Sequence, residues 1–277
     1  PRQRWFRRLL LCALLIAVLL GAKAWSDTMG DPVVHRASFA LRGMAPGTPP
    51  LRAVLLADIH VAGPDMPPSR LADIVAQVNA LQPDLVLIAG DLVSEKRLST
   101  HSYSAAEITA PLAALEAPLG TVVVPGNHDH WFNWPALAAQ LRRHGIRVLQ
   151  NEAAQFGPLA IGGVDDAFTR RDDLPETLRQ LRLLDGGRLI LTHSPDVFPQ
   201  VPGEVSLVLA GHTHCGQIAW PWGGSPATMS RYGDRFACGL HREGGRSVLT
   251  SGGLGTSLLP LRLFTQPEIW LIELRGA

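Results

Sequence analysis

Charge is scarce in this chain of 277 residues: Asp, Glu, Lys and Arg make up 18% of it, against 46% hydrophobic residues. A disordered chain needs the opposite balance, so a large buried core is expected, in one large domain or two small ones. Net charge is also nearly absent, at +1. Arg2, Arg4, Arg7, Arg8 and Lys23 place five positive charges and no acid in the first 25 residues, which leaves the rest of the chain at −4. A mildly acidic body lacks the basic face that nucleic-acid binding requires, so no nucleic-acid partner is expected. Cysteine is limited to Cys12, Cys215 and Cys238, too few for a disulfide framework. Cys215 and Cys238 can pair, but nothing in the sequence requires it. Internal repeats and low-complexity blocks are missing too.

At the N-terminus, basic residues precede an uninterrupted apolar run of 14, Leu9 to Ala22. That is shorter than the roughly 20 residues that span a bilayer. Arg8, Lys23, Trp5 and Trp25 extend its reach by snorkelling and interfacial anchoring. Residues 1–25 therefore read as a retained membrane anchor, in contact with the bilayer through residues 5–25, or as a cleaved secretory signal ending near Ala22 and Ala24. Under both readings the positive-inside rule places Arg2–Arg8 in the cytoplasm and the body beyond the membrane. Residues 26–50 read as a linker with one edge strand, Val33–Leu41.

From residue 51 onward, short apolar runs alternate with helical periodicity. Strands are expected at Leu51–Ala57, Leu85–Ala89, Thr121–Val124, Arg188–Thr192, Leu207–Ala210, Val248–Thr250 and Ile269–Leu274. Helices are expected at Ser69–Leu81, with Ser69 as cap, at Ala105–Leu115, from an Asn133 cap to His144, and at Leu174–Leu184. This alternation predicts an α/β fold with layered sheets in a domain covering 51–277.

The residues just beyond the strands carry the most information. Asp58-Ile59-His60, Gly90-Asp91, Gly126-Asn127-His128-Asp129, Thr192-His193 and Gly211-His212-Thr213-His214 each close a strand candidate. Ligands bind at the carboxyl ends of strands in open α/β sheets. Imidazole, carboxylate and an amide oxygen suit Zn, Mn or Fe. Asp58 and His60 are two residues apart, so an extended backbone would put both on one face, and His212 and His214 share that spacing. Gly90, Gly126 and Gly211 sit where close backbone approach is needed.

These five blocks, in this order, resemble the calcineurin-like metallophosphoesterase family over roughly Leu51 to Leu274. The resemblance implies a two-sheet β-sandwich flanked by helices, preceded here by an N-terminal hydrophobic helix, and a site for two metal ions (Mn, Fe or Zn). It implies that Asp58, His60, Asp91 and His214 hold one ion. Asp91, Asn127, His193 and His212 would hold the other, with Asp91 shared. Two cations roughly 3.5–4 Å apart lower the pKa of a shared water towards 7, giving a hydroxide that attacks phosphorus. His128, not needed as a ligand, is expected to stabilise or protonate the leaving oxygen, and Asp129 to orient its ring. The resemblance extends to a bacterial subgroup with one N-terminal hydrophobic segment, through Ser251-Gly252-Gly253-Leu254-Gly255-Thr256-Ser257 and Leu259-Pro260-Leu261-Arg262. Cys215 stands where that subgroup tends to have Gly.

The expected function is a membrane-associated phosphodiesterase or pyrophosphatase acting on a phosphoester, with a lipid-linked one as a candidate substrate. The expected location is a bacterial inner membrane with the catalytic domain on the extracytoplasmic side. Secretion after signal cleavage and association with the cytoplasmic face are the alternatives for location. A secreted phosphomonoesterase and a non-catalytic metal-bound scaffold are the alternatives for function. Trp131, Phe132 and Trp134 read as core packing or as an apolar wall for an acyl chain. Trp220 and Trp222, in a Pro/Gly-rich loop, read as a substrate rim or an irregular connection. His130 reads as a neighbour of the site.

Overall fold

The computed structural model describes residues 2–277. Arg2–Met29 forms one 28-residue helix, α1, long and apolar enough to cross a membrane, with most of its surface uncovered. Ala24, Asp27 and Thr28, in its last turns, are buried against the body. The helix therefore continues through the start of the stretch expected to be a linker. β1 (Val33–Leu41) then joins a sheet along its whole length, in parallel register with the last strand of the chain. The edge-strand expectation holds, but residues 26–41 are structured parts of the body.

The remaining elements, in chain order, are β2 (Leu51–Leu56), α2 (Pro68–Ala80), β3 (Leu85–Ile88), α3 (Ala105–Thr109), β4 (Thr121–Val123), α4 (Asn127–Phe132), α5 (Trp134–Arg143), β5 (Arg147–Val148), β6 (Glu152–Phe156), β7 (Leu159–Val164), α6 (Leu174–Leu181), β8 (Gly187–Thr192), β9 (Leu207–Ala210), β10 (Gly239–Glu243), β11 (Arg246–Thr250) and β12 (Glu268–Gly276). They build two six-stranded sheets, ordered β1-β12-β2-β3-β4-β5 and β10-β11-β9-β8-β7-β6. Within them β2 to β5 run parallel, as do β7, β8, β9 and β11.

Both faces of the central strands are dry, which is why they read as continuous apolar runs rather than alternating ones. Ala53, Leu55, Leu85 and Leu87 point inward and meet Leu189, Leu191, Leu207 and Leu209 of the second sheet. Val54, Leu56, Val86 and Ile88 point outward, under α2 and α5. Ile190 and Val208 point the other way, under α6. The result is a two-sheet sandwich with helices on both outer faces, the α/β fold expected.

Several local expectations are corrected. Ser69 does not cap α2; the helix starts one residue earlier with Pro67 as its cap residue, and Pro68 in the first turn needs no N–H partner. Asn133 does cap α5, accepting from the Ala136 N–H. Ala105–Leu115 is α3 followed by a 3₁₀ turn carrying Pro111. None of the expected strands covers β5, β6, β7 or β10; β5, β6 and β10 are short or only partly buried strands at sheet edges, while β7 is buried but carries Gly162 and Gly163 in its run.

Candidate metal centre

The strands β2, β3, β4, β8 and β9 end side by side, and the chain turns sharply after each. Asp58 N donates to Gly90 O (3.1 Å), and Gly211 N to His193 O (2.9 Å). His212 N donates to Asp58 Oδ2 at 2.9 Å, tying one sheet to the other. Asp58, His60, Asp91, His212 and His214 all have positive φ, between 48° and 72°. Left-handed backbone is uncommon for residues with a Cβ and clusters at functional sites. This corrects the extended geometry expected for Asp58/His60 and His212/His214. Both pairs lie beyond their strands, and turned backbone brings their side chains together. Gly90, at φ 79°, packs so closely that a Cβ there would lie 2.7 Å from Gly126 N and 2.9 Å from His193 Nδ1.

All seven expected ligand residues are gathered in two adjoining groups. His60 Nε2 is 3.0 Å from His214 Nε2 and 3.9 Å from Asp58 Oδ1, and His214 Nε2 is 3.5 Å from Asp58 Oδ1. Beside them, His193 Nε2 lies 3.2 Å from Asp91 Oδ2, 3.2 Å from Asn127 Oδ1 and 3.1 Å from His212 Nδ1. Asp91 Oδ2 is also 3.6 Å from His60 Nε2, so it reaches both groups.

The donor chemistry fits cations. His193 Nδ1 must donate to Ala89 O (2.8 Å), because a carbonyl oxygen can only accept. In the neutral ring, Nε2 is then a bare acceptor facing a carboxylate oxygen and an amide oxygen. His60 repeats the pattern, its Nδ1 donating to Val93 O at 3.0 Å. A ring anchored through one nitrogen to a backbone carbonyl, with the other nitrogen presented to further acceptors, is the usual arrangement of a metal-binding histidine. Among the described residues, His212 Nε2 and His214 Nδ1 are buried with no hydrogen-bond partner.

The electrostatics show the same crowding. Burial, with Asp91 nearby, pushes Asp58 up to about 7, although His193 pulls the other way. Burial would raise Asp91 too, but the charge and hydrogen bond of His193 outweigh it and hold it well below the usual range. Burial drives His60 and His214 down, and His212 to about 4. His193 rises despite burial, because Asp91 and Asp58 favour its charged form. Without a cation, a proton on His193 compensates the carboxylates.

His128, the second residue of α4, lies at the edge of this centre. Its ring lies 4.9 Å from that of His60, and its Nε2 is 3.4 Å from Ser257 Oγ. Its Nδ1 lacks a hydrogen-bond partner among the described residues, with Glu95 Oε2 at 3.9 Å. Asp129 does not orient this ring. Its carboxylate turns inward and accepts N–H donors from Asp91 (2.9 Å), Leu92 (2.8 Å), Val93 (3.3 Å) and Gly126 (3.0 Å). An N3 acid in a short helix favours exposed backbone N–H groups over a neighbouring side chain. Asp129 thereby fixes the loop that carries Asp91.

A cavity of about 340 Å³ opens over the centre. Asn127, His128, His212 and His214 form its floor; Trp131, Phe168, Ile218, Met229, Leu258 and Leu259 form its walls. Trp131, half exposed, packs edge-on against His128, while Trp134 is core and Phe132 packs beneath the helices. The expected aromatic cluster therefore divides between wall and core. His130 bonds Asp165 Oδ1 at 2.6 Å and stays outside the cavity lining.

The pairing left open by the sequence is made: Cys215, next to His214, is joined to Cys238 in a disulfide. Sequence reasoning missed one structural role. Arg262 is fully buried, and its NH2 donates to Gly252 O (2.7 Å) and Gly255 O (2.6 Å). Gly255 N in turn bonds Asp58 O at 2.8 Å, so Arg262 braces the glycine loop behind Asp58. An arginine in an apolar stretch, within the Leu259-Pro260-Leu261-Arg262 segment noted above, signalled the position but not the role.

A family model described as calcineurin-like phosphoesterase matches residues 51–216. A transmembrane protein with metallophosphoesterase domain from Danio rerio is 32% identical over 98% of this chain and 64% of its own length. A metallophosphoesterase from Helicobacter pylori is 31% identical over 81% of this chain and 60% of its own. The metallophosphoesterase YkuE of Bacillus subtilis is 29% identical over 74% of this chain and 73% of its own. The chain thus spans less than two thirds of the first two relatives.

Proposed function

The chain belongs to the calcineurin-like phosphoesterase family, and from that premise we propose that it is a metal-dependent phosphoester hydrolase held at a membrane by α1, with a phosphodiester or pyrophosphate carrying an apolar group as its substrate. The observation that carries this reading is the convergence of Asp58, His60, Asp91, Asn127, His193, His212 and His214, with Asp91, Asn127, His212 and His214 of that set lining an apolar cavity.

Asp58, His60, Asp91 and His214 would hold one cation, and Asp91, Asn127, His193 and His212 the other. Bound there, such a pair supplies Lewis-acid activation of water and of the phosphoryl group. The chain's own groups do the rest. Asp91 is oriented through the bond from His128 N to its Oδ1 (2.8 Å) and by the loop that Asp129 holds. His128, with a free ring nitrogen at the cavity edge, holds a proton for the departing oxygen. Trp131 and Phe168 exclude water from the rings of His128 and His212.

The cavity wall favours a diester over a monoester. Neither lysine nor arginine lines it among the described residues. A phosphomonoester dianion would lack a cationic side chain there, whereas a diester carries one negative charge and a second substituent to fill the apolar wall. The Cys215–Cys238 disulfide supports an extracytoplasmic body, because disulfides persist in oxidising compartments. The test is hydrolysis by the full chain in detergent, reloaded with Mn, Fe or Zn. Bis(p-nitrophenyl) phosphate should be cleaved faster than p-nitrophenyl phosphate, and an acyl-bearing diester faster still. Metal-loaded protein that cleaves none of them would overturn the reading.

A further inference from the structure

One of the loops that wall the cavity, residues 257–264, also grips α1. Phe264 N donates to Asp27 Oδ2 (2.9 Å), and Arg262 N to Thr28 Oγ1 (2.6 Å). Lys23, paired with Asp27, lies over the Phe264 ring at 5.4 Å. Arg70 closes the other side, donating to Thr28 O (2.9 Å) and Gly30 O (2.8 Å). The segment from Ser257 to Thr265 is stitched to the 217–225 loop mainly through Gln217. Its Nε2 donates to Leu259 O and Leu261 O, both at 2.9 Å, and its Oε1 accepts from Ser257 N at 2.8 Å.

These loops carry apolar side chains with nothing over them. Trp222 is 79% exposed and stacks on Trp220, with ring centroids 5.6 Å apart. Leu258 and Leu259 are exposed beside them, as are Phe264 and, on α1, Trp25. Uncovered apolar side chains gathered on joined loops mark an interaction site, and exposed tryptophans suit a membrane–water boundary.

The position of α1 identifies what covers them. Its apolar run ends at Ala22, and the gripped residues are Lys23 to Thr28. At 1.5 Å per residue, those residues lie within about 10 Å of the end of the apolar run. If the run lies in hydrocarbon, the 257–264 loop bonded to residues 23–28 sits at headgroup depth, and the 217–225 loop stitched to it through Gln217 lies beside it. We propose that the 217–225 and 257–264 loops form a rim resting on the surface of the phospholipid bilayer that α1 enters, so that the cavity mouth lies at the lipid interface. This rests on the insertion of α1 proposed above and is independent of the chemistry at the metal centre. A substrate with an acyl chain would then reach the centre along the rim without leaving the interface.

The test uses the full chain in phospholipid nanodiscs, with Cys12→Ser and one nitroxide-labelled cysteine at a time, at Ile16→Cys, Trp222→Cys, Leu258→Cys or Leu183→Cys. Leu183 is exposed near the start of β8, at the opposite end of that strand from His193. Accessibility to oxygen relative to a water-soluble nickel chelate is read by power saturation. Positions 222 and 258 should show a ratio several-fold above that at 183, and 16 the highest. A ratio at 222 and 258 equal to that at 183, with 16 still shielded, would overturn the rim while leaving α1 inserted. A water-exposed 16 would overturn both. Dipolar broadening between labels at 222 would identify a second copy of the chain as the cover and also overturn the proposal.

Discussion

The space between the two sheets and the layer at the strand ends are equally dry and obey opposite rules. Leu55, Leu87, Leu191 and Leu209 are fully buried in the first; Asp58, His60 and His193 are fully buried in the second. The sheet interior uses regular strands and apolar contact, which any well-packed sandwich provides. The strand-end layer uses left-handed turns at residues with side chains, two buried carboxylates and four crowded imidazoles. Buried charge and backbone strain persist only where the surroundings impose them. The lesson is a division of labour: the apolar layer supplies the stability that holds the polar layer in an arrangement it would not adopt alone.

If that division is right, substitutions in the two layers will fail in different ways. Asp91→Ala removes the one group that reaches both halves of the centre, and turnover should fall by about 10³-fold or more, with metal content reduced but the thermal transition still cooperative. His128→Ala should keep its metal and lose about 10²–10⁴-fold in turnover, as expected for loss of a proton donor. Paired metal analysis and kinetics separate these two variants; near-normal turnover in the second would remove His128 from the mechanism. Leu87→Ala should behave oppositely, losing about 2–5 kcal/mol of stability in denaturant titration while activity per folded molecule stays near that of the parent. A loss of activity without a loss of stability there would erase the division. Asp129→Asn touches the join between the layers, because one carboxylate holds four backbone N–H groups. It should weaken metal binding or turnover by about 10–100-fold, read by metal analysis and kinetics, with the thermal transition still cooperative.

A last effect sharpens the comparison through pH. In the metal-free chain Asp58 is raised to about 7 and His193 is also raised, so both keep protons that a cation must displace. Metal affinity should therefore climb as pH rises from 5 to 7, and binding at pH 6 should release protons measurable by calorimetry in buffers of different ionisation enthalpy. Affinity independent of pH across that window would contradict the protonation pattern.

The sequence shows the two layers unequally. Runs such as Leu85–Ala89 and Leu207–Ala210 are short, apolar and closed by Gly-Asp or Gly-His, so strand and ligand are visible together. The seven residues that converge at the strand ends were legible from these blocks. How they converge was not. The turned backbone at Asp58 and His212 goes with bonds from Asp58 N to Gly90 O and from His212 N to Asp58 Oδ2 across the strand ends, contacts no local pattern encodes. The inward turn of Asp129 depends on the loop at Asp91, 38 residues away. The pairing of Cys215 with Cys238 and the bracing by Arg262 are likewise decided only when distant loops meet.

The central claim is that the strand-end layer exists to hold two cations. Elemental analysis of the full chain, loaded with Mn and then dialysed against metal-free buffer, tests it most directly. The account predicts two ions per chain, falling to one or fewer when His193 is replaced by alanine. Protein that retains no ion, or retains the same number after that replacement, would contradict it.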